Sequence, residues 1–159
     1  MLNIDAPTPT STLRPGEREA IEEMASLLAP WGLPTSQGRV YGYVLLSAQP
    51  VGLDQIAADL EMSKAGAWTA ATQLERFGHI RRYGTPGSKR ALFGPADDCT
   101  AIMSRHSALL GALGRLYQRC AQAADSGEVA GRMEVLSDFH LSLGEAMDGV
   151  IAQVKGKRS

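Results

Sequence analysis

Six basic side chains crowd one short segment in the middle of this chain. Residues 61–94 hold six lysines and arginines against two acidic residues, a local charge of +4 in a chain whose net charge is −1. The six are Lys64, Arg76, Arg81, Arg82, Lys89 and Arg90. Ammonium and guanidinium groups bind phosphate oxygens, and local charge decides such binding more than the total does. The segment is therefore a candidate surface for nucleic acid.

Side chains that can contact base edges lie among these cations. The spacing of Ala67, Ala71 and Leu74 predicts a helix over residues 64–77 with those three facing inward, and Ser63 is placed to cap it. The opposite face carries Lys64, Ala65, Trp68, Thr69, Thr72, Gln73 and Arg76. Gln and Thr suit adenine edges and thymine methyls in a major groove, and Ser63 with the helix N-terminus can hold a phosphate. The alternative is an ordinary solvated helix face.

Trp68 allows two interpretations. An indole in the middle of an exposed helix face is costly unless something covers it. It either packs on the preceding helix or the hairpin that follows, or contacts thymine methyls. We favour packing.

A basic hairpin is expected after this helix. Gly78 should end the helix in a left-handed conformation. Residues 79–83 and 89–93 have the character of strands, and residues 84–87 supply the turn. The hairpin is bracketed by Arg81, Arg82, Lys89 and Arg90. These side chains can reach phosphates or a minor groove, unless the hairpin is simply solvated.

The rest of the N-terminal part is mainly helical. We predict a mobile tail over residues 1–14 and a DNA-binding domain over 15–96. Within that domain, a helix over residues 15–29 precedes one over 37–48, which Thr35 or Ser36 caps. A short helix before Ser63 follows from the i, i+3, i+4, i+7 spacing of Leu53, Ile56, Ala57 and Leu60.

Residues 97–159 form the third predicted part, a helical hairpin for dimerisation. Two apolar seams repeat every seven residues there. The first contains Ile102, His106, Leu109, Leu113, Leu116, Cys120 and Ala123. The second contains Val129, Met133, Leu136, His140, Leu143, Met147, Val150 and Val154. Such stripes must be buried against each other, the preceding domain or a second subunit.

The segments 31–34, 38–42, 63–64, 74–78 and 81–82 together resemble the MarR-type winged-helix regulators, most closely their GbsR-like branch. The similarity covers about residues 30–94. It implies a homodimer paired through terminal helices that represses nearby genes until a small molecule weakens its binding to DNA. Many members carry an acid in the wing that orients the wing arginine, whereas this chain has Ser88 at that position.

An effector pocket is a further expectation. Trp31, Tyr41, Tyr43 and Tyr117 could line it between the winged helix and the terminal helices, where aromatic walls suit apolar or quaternary-ammonium ligands. The alternative is that these rings belong to the core. The resemblance raises choline-type ligands as effectors.

Two histidines and two cysteines each have a structural and a functional interpretation. His106 and His140 lie on the seams, where a hydrogen-bonded histidine that sets register is commoner than a titrating or metal-binding one. Cys99 and Cys120 could sense oxidants, although Cys120 on an apolar seam suggests inert, buried packing. Neither pair decides the function.

Several classes of function are disfavoured. We find no signal peptide, membrane span, phosphate loop, metal cluster or catalytic constellation, and expect a cytoplasmic non-enzyme without cofactor or metal. The predicted fold is mostly α, a winged helix-turn-helix with a small β-hairpin wing and long dimerisation helices. The predicted function is sequence-specific binding of double-stranded DNA by a homodimeric, ligand-responsive repressor. The rival is a protein-interaction module with a degenerate winged helix and coiled-coil-like helices.

Overall fold

A computed structural model of the chain describes residues 12–84, 87 and 90–157. The chain is mostly helical, with one small antiparallel sheet, as predicted. It divides into two compact units between Asp97 and Asp98. Most of the expected tail (residues 1–11), Ser88 and Lys89 lie outside the described residues.

The described residues of the first unit form four helices and three strands. The helices are α1 (Pro15–Leu28), α2 (Thr35–Leu46), α3 (Leu53–Asp59) and α4 (Lys64–Arg76), with a 3-10 turn at Ala29–Trp31. The strands are β1 (Val51–Gly52), β2 (Ile80–Tyr83) and β3 (Leu92–Pro95), in the spatial order β1-β3-β2. This is the arrangement of a winged helix: a helix-turn-helix pair followed by a hairpin.

The start of α2 differs from the prediction. The N-cap is Pro34, whose carbonyl accepts the first hydrogen bond of the helix from the Gly38 amide at 2.9 Å. Thr35 and Ser36 are therefore helical residues, and neither caps the helix. The fixed φ of proline already sets the chain direction, so the helix begins without a side-chain cap.

The sheet also differs from the expected two-stranded hairpin. β3 begins at Leu92, later than predicted, and pairs with both other strands. Phe93 lies opposite Arg82 on one side and Val51 on the other, and its side chain is fully buried. Beyond Phe93, Gly94 and Pro95 lie opposite Arg81 and the buried Ile80, so the ladder runs past the predicted end of the strand.

The core of the first unit joins α1, α2, α3, α4 and the sheet. Its largest fully buried apolar side chains are Phe93, Ile21, Ile56, Leu60, Leu74, Val40 and Val44. Small residues bring the helices together: a Cβ added at Gly38 of α2 would lie 2.8 Å from Cα of Ala25 in α1. Ala67 and Ala71 are fully buried on α4. Gly38 thus lets α1 and α2 pack closely, and the small buried residues of α4 form its side of the core.

One buried carboxylate links distant segments of this unit. Asp59 accepts hydrogen bonds from the Thr12 amide at 2.9 Å, the Thr12 hydroxyl at 2.7 Å and the Tyr43 hydroxyl at 2.6 Å. Its backbone carbonyl accepts another from the Arg18 guanidinium at 3.0 Å. The end of α3 is thus bound to α2 and to the residues before α1.

The second unit is a pair of long helices, α5 (Thr100–Ala123) and α6 (Gly127–Gly156). They meet through small residues. The Ser137 hydroxyl donates to the Gly114 carbonyl at 2.9 Å, and the Ser107 hydroxyl donates to the Gly144 carbonyl at 3.1 Å. Such hydrogen bonds need close backbones, which larger side chains at these positions would separate.

The two heptad seams are therefore only part of the contact between α5 and α6, to which His140 contributes through Tyr117. Leu109 is 58% exposed, Leu116 43% and Val150 59%, because the small-residue face of each helix points at its neighbour instead. Both cysteines are exposed, so the expectation of a buried Cys120 is wrong for the same reason. Of the seam histidines, His106 is exposed, whereas Nδ1 of His140 lies 2.7 Å from the Leu136 carbonyl. In the part of the chain that is described, no helix is long and apolar enough to cross a membrane.

Candidate nucleic-acid interface

Helix α4 is held firmly at both ends. The Ser63 hydroxyl accepts a hydrogen bond from the Gly66 amide at 3.0 Å, which confirms the predicted cap. Gly78 follows the helix at φ 80°, a left-handed conformation that favours glycine. Ala67, Ala71 and Leu74 are buried, as their spacing predicted. The opposite face consequently has a defined orientation.

That opposite face divides into two stripes. Ala65, Thr69, Gln73 and Arg76 form the outer stripe, in which all but the half-buried Gln73 are exposed. Trp68, Thr72 and Glu75 follow i, i+4, i+7 and form the wing-facing stripe. Lys64 and Ser63 are exposed at the start of the helix. The seven side chains predicted as one reading face therefore have two different environments.

The wing-facing stripe contacts β2. The Arg82 guanidinium carbon lies 5.1 Å from the centroid of the Trp68 ring, and Nη2 lies 2.8 Å from Oε2 of Glu75. Trp68 remains 43% exposed. The indole thus contacts the wing through Arg82, as packing requires, and contact of its exposed part with thymine methyls stays a prediction. The hydroxyl oxygen of Thr72 is buried and has no hydrogen-bond partner among the described residues. Thr72 does not present that oxygen to an outside ligand.

The arginines of β2 point to opposite faces of the strand. Side chains alternate along a strand, so Arg81 and Arg82 cannot share a surface. Arg81 pairs with Asp97, and its guanidinium carbon lies 5.0 Å from the Tyr83 ring centroid. The basic hairpin residues are therefore separate contacts rather than one cluster. Arg90 is exposed, and Lys89 lies outside the described residues.

An acidic residue lies within the basic surface at the start of α4. Oδ1 of Asp54 is 2.7 Å from the Lys64 ammonium, and both side chains are about two-thirds exposed. The hydrogen bond from Lys64, then the charges of Lys64 and Arg90, hold the pKa of Asp54 below its ordinary value. The sequence does not predict that Asp54 lies beside Lys64, because Asp54 precedes the basic segment and belongs to α3.

The aromatic residues proposed for an effector pocket have different surroundings. Tyr43 is buried with its hydroxyl on Asp59, and Tyr41 packs edge-on against His79 at 5.3 Å between ring centroids. Trp31 is 88% exposed at the end of the 3-10 turn. In the second unit, Tyr117 packs against His140 at 5.1 Å. Of these rings, Tyr43 is a core residue.

Comparison with known proteins establishes the fold. No protein-family model and no curated protein matches the sequence. A crystal structure of a transcriptional regulator superposes with a TM-score of 0.73 and 21% sequence identity, over 89% of this chain and 99% of that chain. The likeness covers nearly all of both chains, so this protein has the fold of that regulator.

Proposed function

We propose that this protein is a transcriptional regulator that binds double-stranded DNA sequence-specifically. Helix α4 would enter the major groove, which is wide enough for a helix, and the β2–β3 hairpin would contact the neighbouring backbone. The fold that it shares with a transcriptional regulator supports this assignment.

The observation that carries the proposal is the outer stripe of α4. Thr69 and Arg76 are exposed and Gln73 is half-buried, on a helix that is capped by Ser63 and packed on its other side. Arg76 forms no ion pair with any residue that the structure describes. Amide, hydroxyl and guanidinium groups on one rigid edge can form directed hydrogen bonds to base edges.

The proposed regulator is a homodimer. Large apolar side chains on the surface of α5 and α6 support this part: Leu109, Leu116, Val135, Phe139, Leu143 and Val150 are each at least 40% exposed. Extended apolar surface on a small domain generally marks an interface. Two copies about a two-fold axis would place two α4 helices in successive major grooves, with half-site centres about 34–36 Å apart.

Repression, response to a small molecule and action in the cytoplasm are the finer parts of the proposal. They rest on the resemblance to MarR-type, GbsR-like regulators across residues 30–94. Among the aromatic residues predicted for an effector site, Trp31 has the most accessible ring, at 88% exposure. An exposed indole suits a quaternary-ammonium ligand such as choline.

The test is selection of genomic fragments bound at physiological salt, followed by titration of a selected and a scrambled duplex. We expect binding that weakens steeply with salt and prefers the selected duplex. Gln73→Ala should lose preference by about five- to 150-fold at one base position, the range of a bidentate contact. Gln122→Ala, an exposed glutamine on α5, is the matched control and should leave binding unchanged. Absence of salt-sensitive duplex binding would favour the interaction-module alternative.

A further inference from the structure

We propose that Arg82 is a positioning residue that connects the wing, the β2–β3 hairpin, to helix α4. Glu75 and Trp68 of α4 hold the Arg82 guanidinium in place. The inference rests on the proposed function, because it concerns how two DNA-contacting elements keep their relative orientation. It reassigns Arg82, which the sequence suggested as a phosphate contact.

The guanidinium of Arg82 is held on several sides. Nη2 lies 2.8 Å from Oε2 of Glu75, and the guanidinium carbon lies 5.1 Å from the Trp68 ring centroid and 5.4 Å from that of Phe93. Phe93 is fully buried and lies directly opposite Arg82 in the β2–β3 ladder. The sheet therefore sets the base of the side chain, and helix α4 sets its tip.

These contacts compete with a role at the phosphate backbone. The side chains of Arg82 and Glu75 are only 37% and 32% exposed, so their ion pair is less screened than one at the open surface. Moving the Arg82 guanidinium away from α4 towards a phosphate would lose the contact with Glu75 and expose more of the Trp68 ring, which is already 43% exposed. Arg81, on the other face of β2, is 56% exposed and pairs with Asp97, which is 67% exposed.

The partners of Arg82 lie on the helix that would read the bases. Trp68 and Glu75 are seven residues apart, two turns along the wing-facing stripe. A contact that spans two turns fixes both the distance and the angle between α4 and β2. Phosphate contacts set the register in which base contacts are made. Losing the contact of Arg82 with Glu75 and Trp68 should therefore weaken specific binding more than nonspecific binding.

Affinity for the selected and scrambled duplexes provides the first test. Glu75→Gln and Arg82→Gln should each weaken binding to the selected duplex about tenfold, with little effect on the scrambled one, and the double variant should be no weaker than either single variant. Arg82→Lys should weaken binding to the selected duplex as Arg82→Gln does, because an ammonium lacks the planar guanidinium that contacts Glu75 and stacks on Trp68. Arg81→Gln, at a candidate phosphate contact on the other face of β2, should weaken binding to both duplexes alike and therefore retain the preference.

A phosphate contact at Arg82 predicts a different pattern. Arg82→Gln would then weaken both duplexes and flatten the salt dependence by about one unit per protomer. Arg82→Lys would remain near wild type, and Glu75→Gln would tighten binding by removing a competing acid. That pattern would overturn the inference.

A measurement without DNA separates this inference from the proposed function. The chain has two tryptophans, so Trp31→Phe leaves Trp68 as the only one. In that background, Arg82→Gln should increase acrylamide quenching of Trp68 fluorescence, whereas Arg81→Gln should not. Unchanged quenching in Arg82→Gln would contradict the positioning role of Arg82 even if duplex binding persists. A wild-type protein that binds no duplex would contradict the proposed function. The quenching result would then still decide whether Arg82 covers Trp68.

Discussion

The Tyr43 hydroxyl donates a hydrogen bond of 2.6 Å to Oδ2 of Asp59, a carboxylate buried in the first unit. Burial, and then the bond to Asp59, raise the pKa of Tyr43. Burial alone would raise the pKa of Asp59, but hydrogen bonds from Thr12, Tyr43 and Gln55 outweigh it and hold that pKa below the ordinary value. Asp59 is therefore ionised in the folded protein and joins three segments of chain.

Asp59→Asn should destabilise the protein by about 1–3 kcal/mol at pH 7, because the amide nitrogen would face donors instead of accepting from them. The folded pKa of Asp59 is below the unfolded value of about 3.9, so its contribution is present above that pH and is lost as pH falls through the folded pKa. Urea denaturation at pH 7 and pH 3 should show the gap from wild type narrowing in acid. The exposed Asp138→Asn is the control, and a gap that grew in acid would contradict the assignment.

Asp54→Asn should tighten binding to every duplex by about two- to fivefold, since it removes an acid that pairs with Lys64 near Arg90. Titrations at several salt concentrations would measure this effect. Asp138→Asn, far along the chain on α6, should have no effect. Weaker binding by Asp54→Asn would mean that Lys64 needs its partner for orientation.

Arg90→Ala should lower affinity for all duplexes and flatten the salt dependence by about one unit per protomer, as expected when one phosphate contact is lost. Arg90 is exposed at the end of the wing hairpin. Fluorescence anisotropy across a salt series measures both quantities. An unchanged slope would remove Arg90 from the interface.

Phe139→Gln and Leu116→Gln should shift the protein towards monomer, because both side chains belong to the exposed apolar surface of the second unit. Sedimentation equilibrium over a range of protein concentrations measures the shift. Leu45→Gln is a matched control that should sediment as wild type does, since Leu45 is 41% exposed on α2, which is not a terminal helix. If all three variants sediment as wild type does, the surface on α5 and α6 is not the interface.

Gly38→Ala should destabilise the first unit by about 1–3 kcal/mol, because its Cβ would lie 2.8 Å from a backbone atom of Ala25. Gly131→Ala is the control within another helix: nothing lies within 4 Å of its added Cβ, and the change should stabilise α6 by up to about 1 kcal/mol. Thermal unfolding measures both. Equal effects would show that helix propensity, rather than the contact of α1 with α2, governs Gly38.

The sequence alone determined the local structure of helix α4, the helix proposed to enter the major groove. Ser63 caps α4, Gly78 ends it, and Ala67, Ala71 and Leu74 form its buried face, as predicted. Capping, left-handed conformation and helical periodicity depend on residues within a few positions of one another, so a single segment carries their signal. The winged-helix order of elements followed from the same local signals.

Only the tertiary structure decided which side chains meet. Heptad spacing located the apolar seams, but the small residues Ser107 and Gly114 direct α5 towards α6 and leave Leu109 and Leu116 exposed. The pairing of Arg82 with Glu75 and the proximity of Asp54 to Lys64 depend on how separate elements pack. Periodicity records that a face is apolar or charged. Which surface covers that face depends on contacts between residues far apart in the chain, and no local pattern encodes them.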